Sequence, residues 1–406
     1  MTTQPYTHGH VIPLIGGSVL GATKALGKPP EWIASWGSVF GANDQYCLKY
    51  FDKVPYYELD EGQYPSQRVD IVTCLPPCAG LSMGNTTSGD KVNNPRGCSA
   101  PSNMHMLNGS EFAMSKIKPR AMIVENAPAL YSKMGEVFAE RINELAQRHG
   151  YTMSLVKTTS LNHGIPQERT RSFFFLWQGV EVPVLEPIKK PYVPFHEFLR
   201  SGRFAPSEPV SNKSAPSSDP LWQFIESKYR GSTKQDILKA VASNRMVSVW
   251  NVIYDSGWLE EACRVVKDER ANRWLNFTLD KKKAGKNIMD GSMKLAWQRS
   301  AALMWKTMPM LVHPYEDRWL ITSEALALMG FPDDYAAKVH IPTKSSNVIA
   351  QNVPACTAAN WIEEIIQALD GNRTWIDPEL KPDGTYKILR QSNVVAKDPM
   401  KPIWSL

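Results

Sequence analysis

Apolar positions in the first 180 or so residues fall into short continuous runs, VIPLI, EWIASW, VDIVTCL, AMIVEN and RSFFFLW, separated by helical stretches such as GGSVLGATKALG, NDQYCLKYF and EVFAERINELAQRHG. Runs of that length bounded by turn residues predict strands, and the stretches between them predict helices. Strands alternating with helices predict an α/β fold, a doubly wound and mostly parallel sheet with helices on both faces. The working residues of such a sheet sit at the carboxyl ends of its strands.

Beyond Trp177 the texture changes. Residues 179–220 are rich in proline and serine, as in SEPVSNKSAPSSDP, and the chain to His313 then mixes tryptophans with the basic clusters KYRGSTK, RANRW and KKKAGK. Helical periodicity returns in TSEALALMGFP and in NVIAQNVPACTAANWIEEIIQAL, where apolar residues recur at spacings of three and four. The expected organisation is an α/β domain over residues 1–178, a smaller irregular domain over 179–313, and a helical segment over 314–369. Residues 370–406 read as an appendage of turns and short strands with no assigned role.

Composition narrows the class. The 406 residues, 43% hydrophobic and 21% charged, suffice for one large domain and a second smaller one. No uncharged apolar run reaches the roughly 18 residues of a membrane span, and the opening MTTQPYTHGH lacks a basic region followed by an apolar one, so a cytoplasmic protein without membrane contact is expected. Six cysteines stand without CxxC spacing or nearby ligand histidines, which argues against a disulfide framework or a metal site. A net charge of +6 is compatible with a polyanionic partner.

Three short stretches carry candidate chemistry. Cys78 follows VDIVTCL and two prolines that fix the bend, with Gly80 permitting close approach. A lone cysteine is commonly a small buried hydrophobe; at a strand end in this fold class it is also a candidate nucleophile. Glu125 and Asn126 end AMIVEN, where a buried carboxylate can hold a proton and an amide can fix a planar substrate. Gln167, Arg169 and Arg171 alternate before RSFFFLW, a spacing that directs the arginines either to a common ligand or to a solvated face.

The order PPCxGxS, ENxP, QxRxR, a long basic segment, LITSEALALMGFPDDY and a terminal NVP helix resembles the cytosine-5 DNA methyltransferases over nearly the whole chain. The resemblance implies a class I methyltransferase-like Rossmann domain and a target-recognition domain over 179–313, with double-stranded DNA as partner and a monomeric state in a bacterial or phage-infected cell. It implies that Cys78 attacks C6 of a flipped cytosine, that Glu125 contacts N3 and the exocyclic amine, and that Arg169 and Arg171 position the base and the cysteine loop. Pro77, Ser82, Asn126 and Gln167 fall on substrate-binding positions. Leu14, Ile15, Gly16, Gly17, Asp60, Gln351 and Val353 fall on positions that bind S-adenosylmethionine. The hundred and more residues between Arg171 and Gly330 favour DNA over transfer RNA.

The donor motifs depart from the family pattern. FxGxGG reads Ile12, Pro13, Leu14, Ile15, Gly16 and Gly17; no acidic residue follows IASW; and GNxVP reads Ala350 to Pro354 as AQNVP. Two donors follow as expectations: S-adenosylmethionine, giving 5-methylcytosine, or methylenetetrahydrofolate with water capture, giving 5-hydroxymethylcytosine. A third expectation is an inactive DNA-binding module on the same scaffold. Lys281, Lys282, Lys283 and Lys286 are candidate phosphate contacts, while Trp222, Trp250, Trp258 and Trp274 are expected in the core.

Overall fold

A computed structural model describes residues 6–78, 80–81, 103–285, 291–304 and 308–394. Ser82, Lys286 and the loop from Ser82 to Gly97 lie outside the described residues, as does the side chain of Lys282.

Eight strands form the central sheet: β1 (His8–Val11), β2 (Trp32–Ser35), β3 (Tyr56–Glu58), β4 (Ile71–Cys74), β5 (Ala121–Asn126), β6 (Tyr151–Thr159), β7 (Thr170–Gln178) and β8 (Leu389–Ser392). Their order is β8-β6-β7-β5-β4-β1-β2-β3. Only β7 runs antiparallel to its neighbours, β5 and β6; the remaining pairings are parallel. The doubly wound α/β expectation therefore holds. Strands β4 and β5 are buried at every position, which is why they read as unbroken apolar runs.

Helices α1 (Gly17–Leu26), α2 (Gly37–Tyr50), α3 (Met104–Phe112), α4 (Glu136–Arg148) and α5 (Ala355–Leu369) cover the sheet. The return of α5 to the first domain depends on missing side chains. A Cβ on Gly21 of α1 would lie 2.5 Å from the Ala355 carbonyl oxygen and 2.6 Å from the Ala358 Cβ, so the two helices meet backbone to backbone. Trp361 of α5 then reaches Phe173 and Phe175 on β7, with ring centroids 6.1 and 5.5 Å away.

VIPLI does not form the first strand. Strand β1 is the preceding HGHV, and the chain turns at Ile12 and Leu14, both left-handed with φ of 57° and 51°. Pro13 has no N–H to give to a ladder, so the apolar residues after it line a loop. Strand β6 and helix α3 are further elements that the apolar runs did not mark.

The C-terminal segment is part of the sheet. Strand β8 pairs in parallel with β6, and Trp375–Ile376 pairs with Val182–Pro183. Arg373 grips Glu364 of α5 with two nitrogens, at 2.5 and 2.7 Å, and the Tyr386 carbonyl accepts from Asn143 of α4 at 2.8 Å. Truncation after Leu369 should bare the β6 edge and lower the thermal midpoint by about 5 °C or more, with aggregation on heating. Scanning fluorimetry with light scattering measures both; an unchanged midpoint would contradict an integral role for the segment.

Two further cores lie beside the sheet. One joins Val19 of α1 and Cys47 of α2 to Phe195, Leu199, Leu320, Phe331 and Tyr335. The other gathers Leu221, Trp222, Ile225, Trp250, Ile253, Leu275 and Trp319 from helices including Pro220–Lys228, Val249–Asp255 and Glu269–Lys283. Asp219 caps the first of these, accepting from Leu221 N and Trp222 N, and Thr233 with Asp236 forms a capping box on Lys234–Ala242. Trp222 and Trp250 are buried here, and Trp258 packs against them partly exposed; Trp274 is half-buried and stacks on Phe277.

Candidate active site at the strand ends

Strand β4 ends at Cys74, and Leu75, Pro76 and Pro77 carry the chain to Cys78 at the carboxyl edge of the sheet. The neighbouring strand end holds this turn: Asn126 Nδ2 donates to the Pro77 carbonyl at 3.4 Å, and Asn126 Oδ1 accepts from Ala127 N at 2.8 Å. Leu81 N donates to the Cys78 carbonyl at 3.1 Å, closing a tight turn after the cysteine. The thiol is half-buried against the main core.

Glu125 stands one residue before Asn126, buried, and Arg171 reaches it from β7 with Nε 2.8 Å from Oε1. Burial raises the pKa of both Glu125 and the Cys78 thiol. The Arg171 charge opposes the rise in each, and the Glu125 charge adds to it at Cys78. One guanidinium thus faces a carboxyl and a thiol that each resist ionising, the arrangement expected where a proton must be held and an anion must form on demand.

The charge of Arg169 also acts on Glu125 and Cys78, but its Nη groups, like the amide of Gln167, are engaged elsewhere. Arg169 is 1% exposed and donates to three backbone carbonyls, Leu303 at 2.8 Å, Ala350 at 2.8 Å and Asn352 at 2.6 Å. Burial and the neighbouring Arg171 draw it down to about 9, while Glu125 and Cys78 oppose that shift. Gln167 is also buried; its Oε1 accepts from Leu303 N at 3.0 Å and its Nε2 donates to the Leu328 carbonyl at 2.9 Å.

The donor-side residues converge on the start of α1. Gly16 precedes it at φ 97° and offers no side chain as a cap, and the positive end of the helix dipole favours an anion there. Gly17 N donates to Asn352 Oδ1 at 3.0 Å, and a Cβ on Gly17 would lie 2.1 Å from the Val353 carbonyl oxygen, so only glycine lets the two segments meet. Leu14 N donates to Asp44 Oδ1 at 3.1 Å, and Asp44, fully buried in α2, is pushed up by burial to about 7. The Ile15 side chain enters the second core and its carbonyl accepts from Tyr335 Oη at 2.6 Å. Gln351 accepts from Asn43 at 3.1 Å.

Asp60 caps the start of α2, accepting from Ser38 N at 2.9 Å and Ser38 Oγ at 2.6 Å. Glu58 brings a carboxylate to the end of β2, its oxygens 3.1 and 3.3 Å from where a Cβ on Gly37 would be. Beside them His105 of α3 packs on Trp36 and Phe40, with centroids 5.7 and 5.1 Å away. A helix N-terminus behind a left-handed glycine, a carboxylate against a bare glycine and an aromatic wall fit a donor bearing a carboxylate, hydroxyls and a planar ring. Sequence reading missed Glu58, Asp44, Trp36 and Tyr335; the glycine following Trp36 was the available signal for the first.

Among solved structures, the chain is similar to an E. coli prophage-encoded protein described as a DNA modification methyltransferase, at a TM-score of 0.55 and 14% identity, covering 90% of this chain and 99% of that one. At that identity the likeness concerns the fold. Two curated relatives are the type II methyltransferases M.AgeI of Thalassovita gelatinovora, 29% identical over 117 residues, and M1.HphI of Haemophilus parahaemolyticus, 25% identical over 127 residues. These alignments span 29% and 31% of this chain, and 24% and 32% of the relatives' own lengths. The profile of the family described as C-5 cytosine-specific DNA methylase matches residues 31–367, and the chain belongs to that family.

Proposed function

We propose that this protein modifies cytosine in double-stranded DNA at C5, with Cys78 as nucleophile, and that the product is 5-methylcytosine. The observation carrying this reading is the tie between two strand ends, the Cys78 turn bonded to Asn126 beside the Glu125 and Arg171 pair. The Cys78 thiolate forms a bond to C6 of the base, and the displaced electron pair moves toward N3 and O2. Glu125 holds a proton at N3, Arg171 offers N–H groups to O2, and C5 becomes nucleophilic. Once C5 has bonded the incoming one-carbon electrophile, transfer of the C5 proton to a base and departure of the thiolate from C6 restore the aromatic ring. The base must leave the stack for C6 to be reached, and a proline-fixed turn keeps the sulfur aligned for it.

S-Adenosylmethionine, when bound, supplies the electrophilic methyl group. Gly16, Gly17 and the N-terminus of α1 would take its carboxylate, Glu58 its ribose hydroxyls, and Trp36 with His105 its planar ring. Exposed Arg264, Lys267, Arg270, Arg273 and Lys283, on and just before the Glu269–Lys283 helix, supply phosphate contacts, with Lys281 held over the Phe277 ring at 4.4 Å. A second reading, methylenetetrahydrofolate as donor, draws on Leu14: a branched side chain in left-handed backbone at a position where the family has glycine.

Mass spectrometry of nucleosides from DNA of cells expressing the protein tests both readings. 5-Methylcytosine is expected, absent with Cys78→Ala; 5-hydroxymethylcytosine would replace the first donor by the second, and unmodified cytosine would overturn the activity.

A further inference from the structure

Segments far apart in the chain meet at one buried guanidinium. Arg169 Nη1 holds the Leu303 carbonyl, and Nη2 holds those of Ala350 and Asn352. Leu303 ends the return of the chain from the tryptophan-rich core. Its approach is fixed by parallel pairing of Ser300–Ala301 with Gln167–Glu168, and by Arg299, whose Nε lies 2.7 Å from Glu168 Oε1 and donates to the Asn244 carbonyl at 2.5 Å. On the other side, Asn352 Oδ1 accepts from Gly17 N, and the Val353 carbonyl covers Gly17 at the head of α1. A single planar fork therefore joins the segment that leads out of the tryptophan-rich core to the turn that covers the head of α1.

We propose that Arg169 is a positioning residue that makes DNA binding and donor binding reinforce each other. The inference rests on the proposed function for the identity of the two sites. Arg169 Nε is already buried without a partner, so the guanidinium depends on the carbonyls held by Nη1 and Nη2, and undocking either residues 300–303 or 350–353 adds a further unfavourable open donor. DNA that orders the first segment thereby favours the second, and a donor that orders the second favours DNA; linkage requires the two effects to be equal. Lysine retains the charge but has no second nitrogen to span the two segments.

The test is calorimetric titration of the full chain with S-adenosylhomocysteine, alone and with saturating unmodified plasmid DNA. Wild type should bind the probe at least about 5-fold more tightly with DNA present, the lower end of ordinary coupling. Arg169→Lys should bring that ratio close to one. Arg299→Gln, a partly exposed change that leaves the interior intact, should lower the ratio without altering affinity for the probe alone. Hydrogen exchange at residues 350–353 should slow on addition of DNA in wild type and not in Arg169→Lys. A wild-type ratio of one, or a full ratio in both variants, overturns the inference and leaves the donor reading standing. Absence of probe binding by wild type in both conditions overturns the donor reading and the inference with it.

Discussion

Cys78→Ala is expected to lower formation of modified cytosine by ~10⁴-fold or more, because a covalent nucleophile acts as a unit with its partners and its loss forfeits their joint effect. DNA affinity should remain within about twofold of wild type: the side chain is small, half-buried and uncharged, and phosphate contacts dominate affinity. The fold should persist as well, since the turn is held by Pro76, Pro77 and the Asn126 bond to the Pro77 carbonyl, none of which involves the sulfur. Quantitative nucleoside analysis and fluorescence anisotropy on one preparation check both halves. Turnover near the wild-type level would refute covalent catalysis at this position; lost DNA binding would make Cys78 a structural residue.

The second large effect concerns Glu125→Gln, which keeps the shape of the side chain but removes the proton and the charge. Loss of a positioned acid lowers rates by ~10²- to 10⁴-fold. The thiol supplies a sharper test of sign. Glu125 as an anion raises the Cys78 pKa, while Arg171 lowers it. Removing the anion leaves Arg171 unopposed, so thiolate should form at lower pH in the variant than in wild type. The rate of iodoacetamide capture at Cys78 against pH, read by peptide mass spectrometry, reports this directly. No shift, or a shift to higher pH, would mean that the carboxylate and the thiol do not share one electrostatic site. In wild type the same pair predicts turnover that rises with pH as thiolate forms and falls as Glu125 loses its proton.

Those two residues were legible in the sequence for a physical reason. Strands β4 and β5 are buried on both faces, so their apolar runs stop where the sheet stops, and Cys78 and Glu125 stand at or just past those stops. The arginines were less legible. Strand β7 begins at Thr170, so Arg171 belongs to the ladder while Arg169 precedes it, and alternation could not say that one faces Glu125 and the other three carbonyls. Glu58 was hidden because it stands on β3 and serves the end of β2, a relation between neighbouring strands that no local spacing encodes. Strand β8 was hidden because LRQS pairs on one side only and needs no apolar run.

The direction of β8 bears on how the protein can be handled. It runs parallel to β6, and β6 runs parallel to β5 because β7 reverses between them. The chain therefore leaves the sheet after Ser392 at the edge where β4 and β5 deliver Cys78 and Glu125, whereas it enters β1 at His8 from the opposite edge. A fluorophore attached near Asn393 would share the edge of Cys78 and Glu125, whereas one near Thr7 would sit on the opposite edge, so the two positions report on different sides of the sheet.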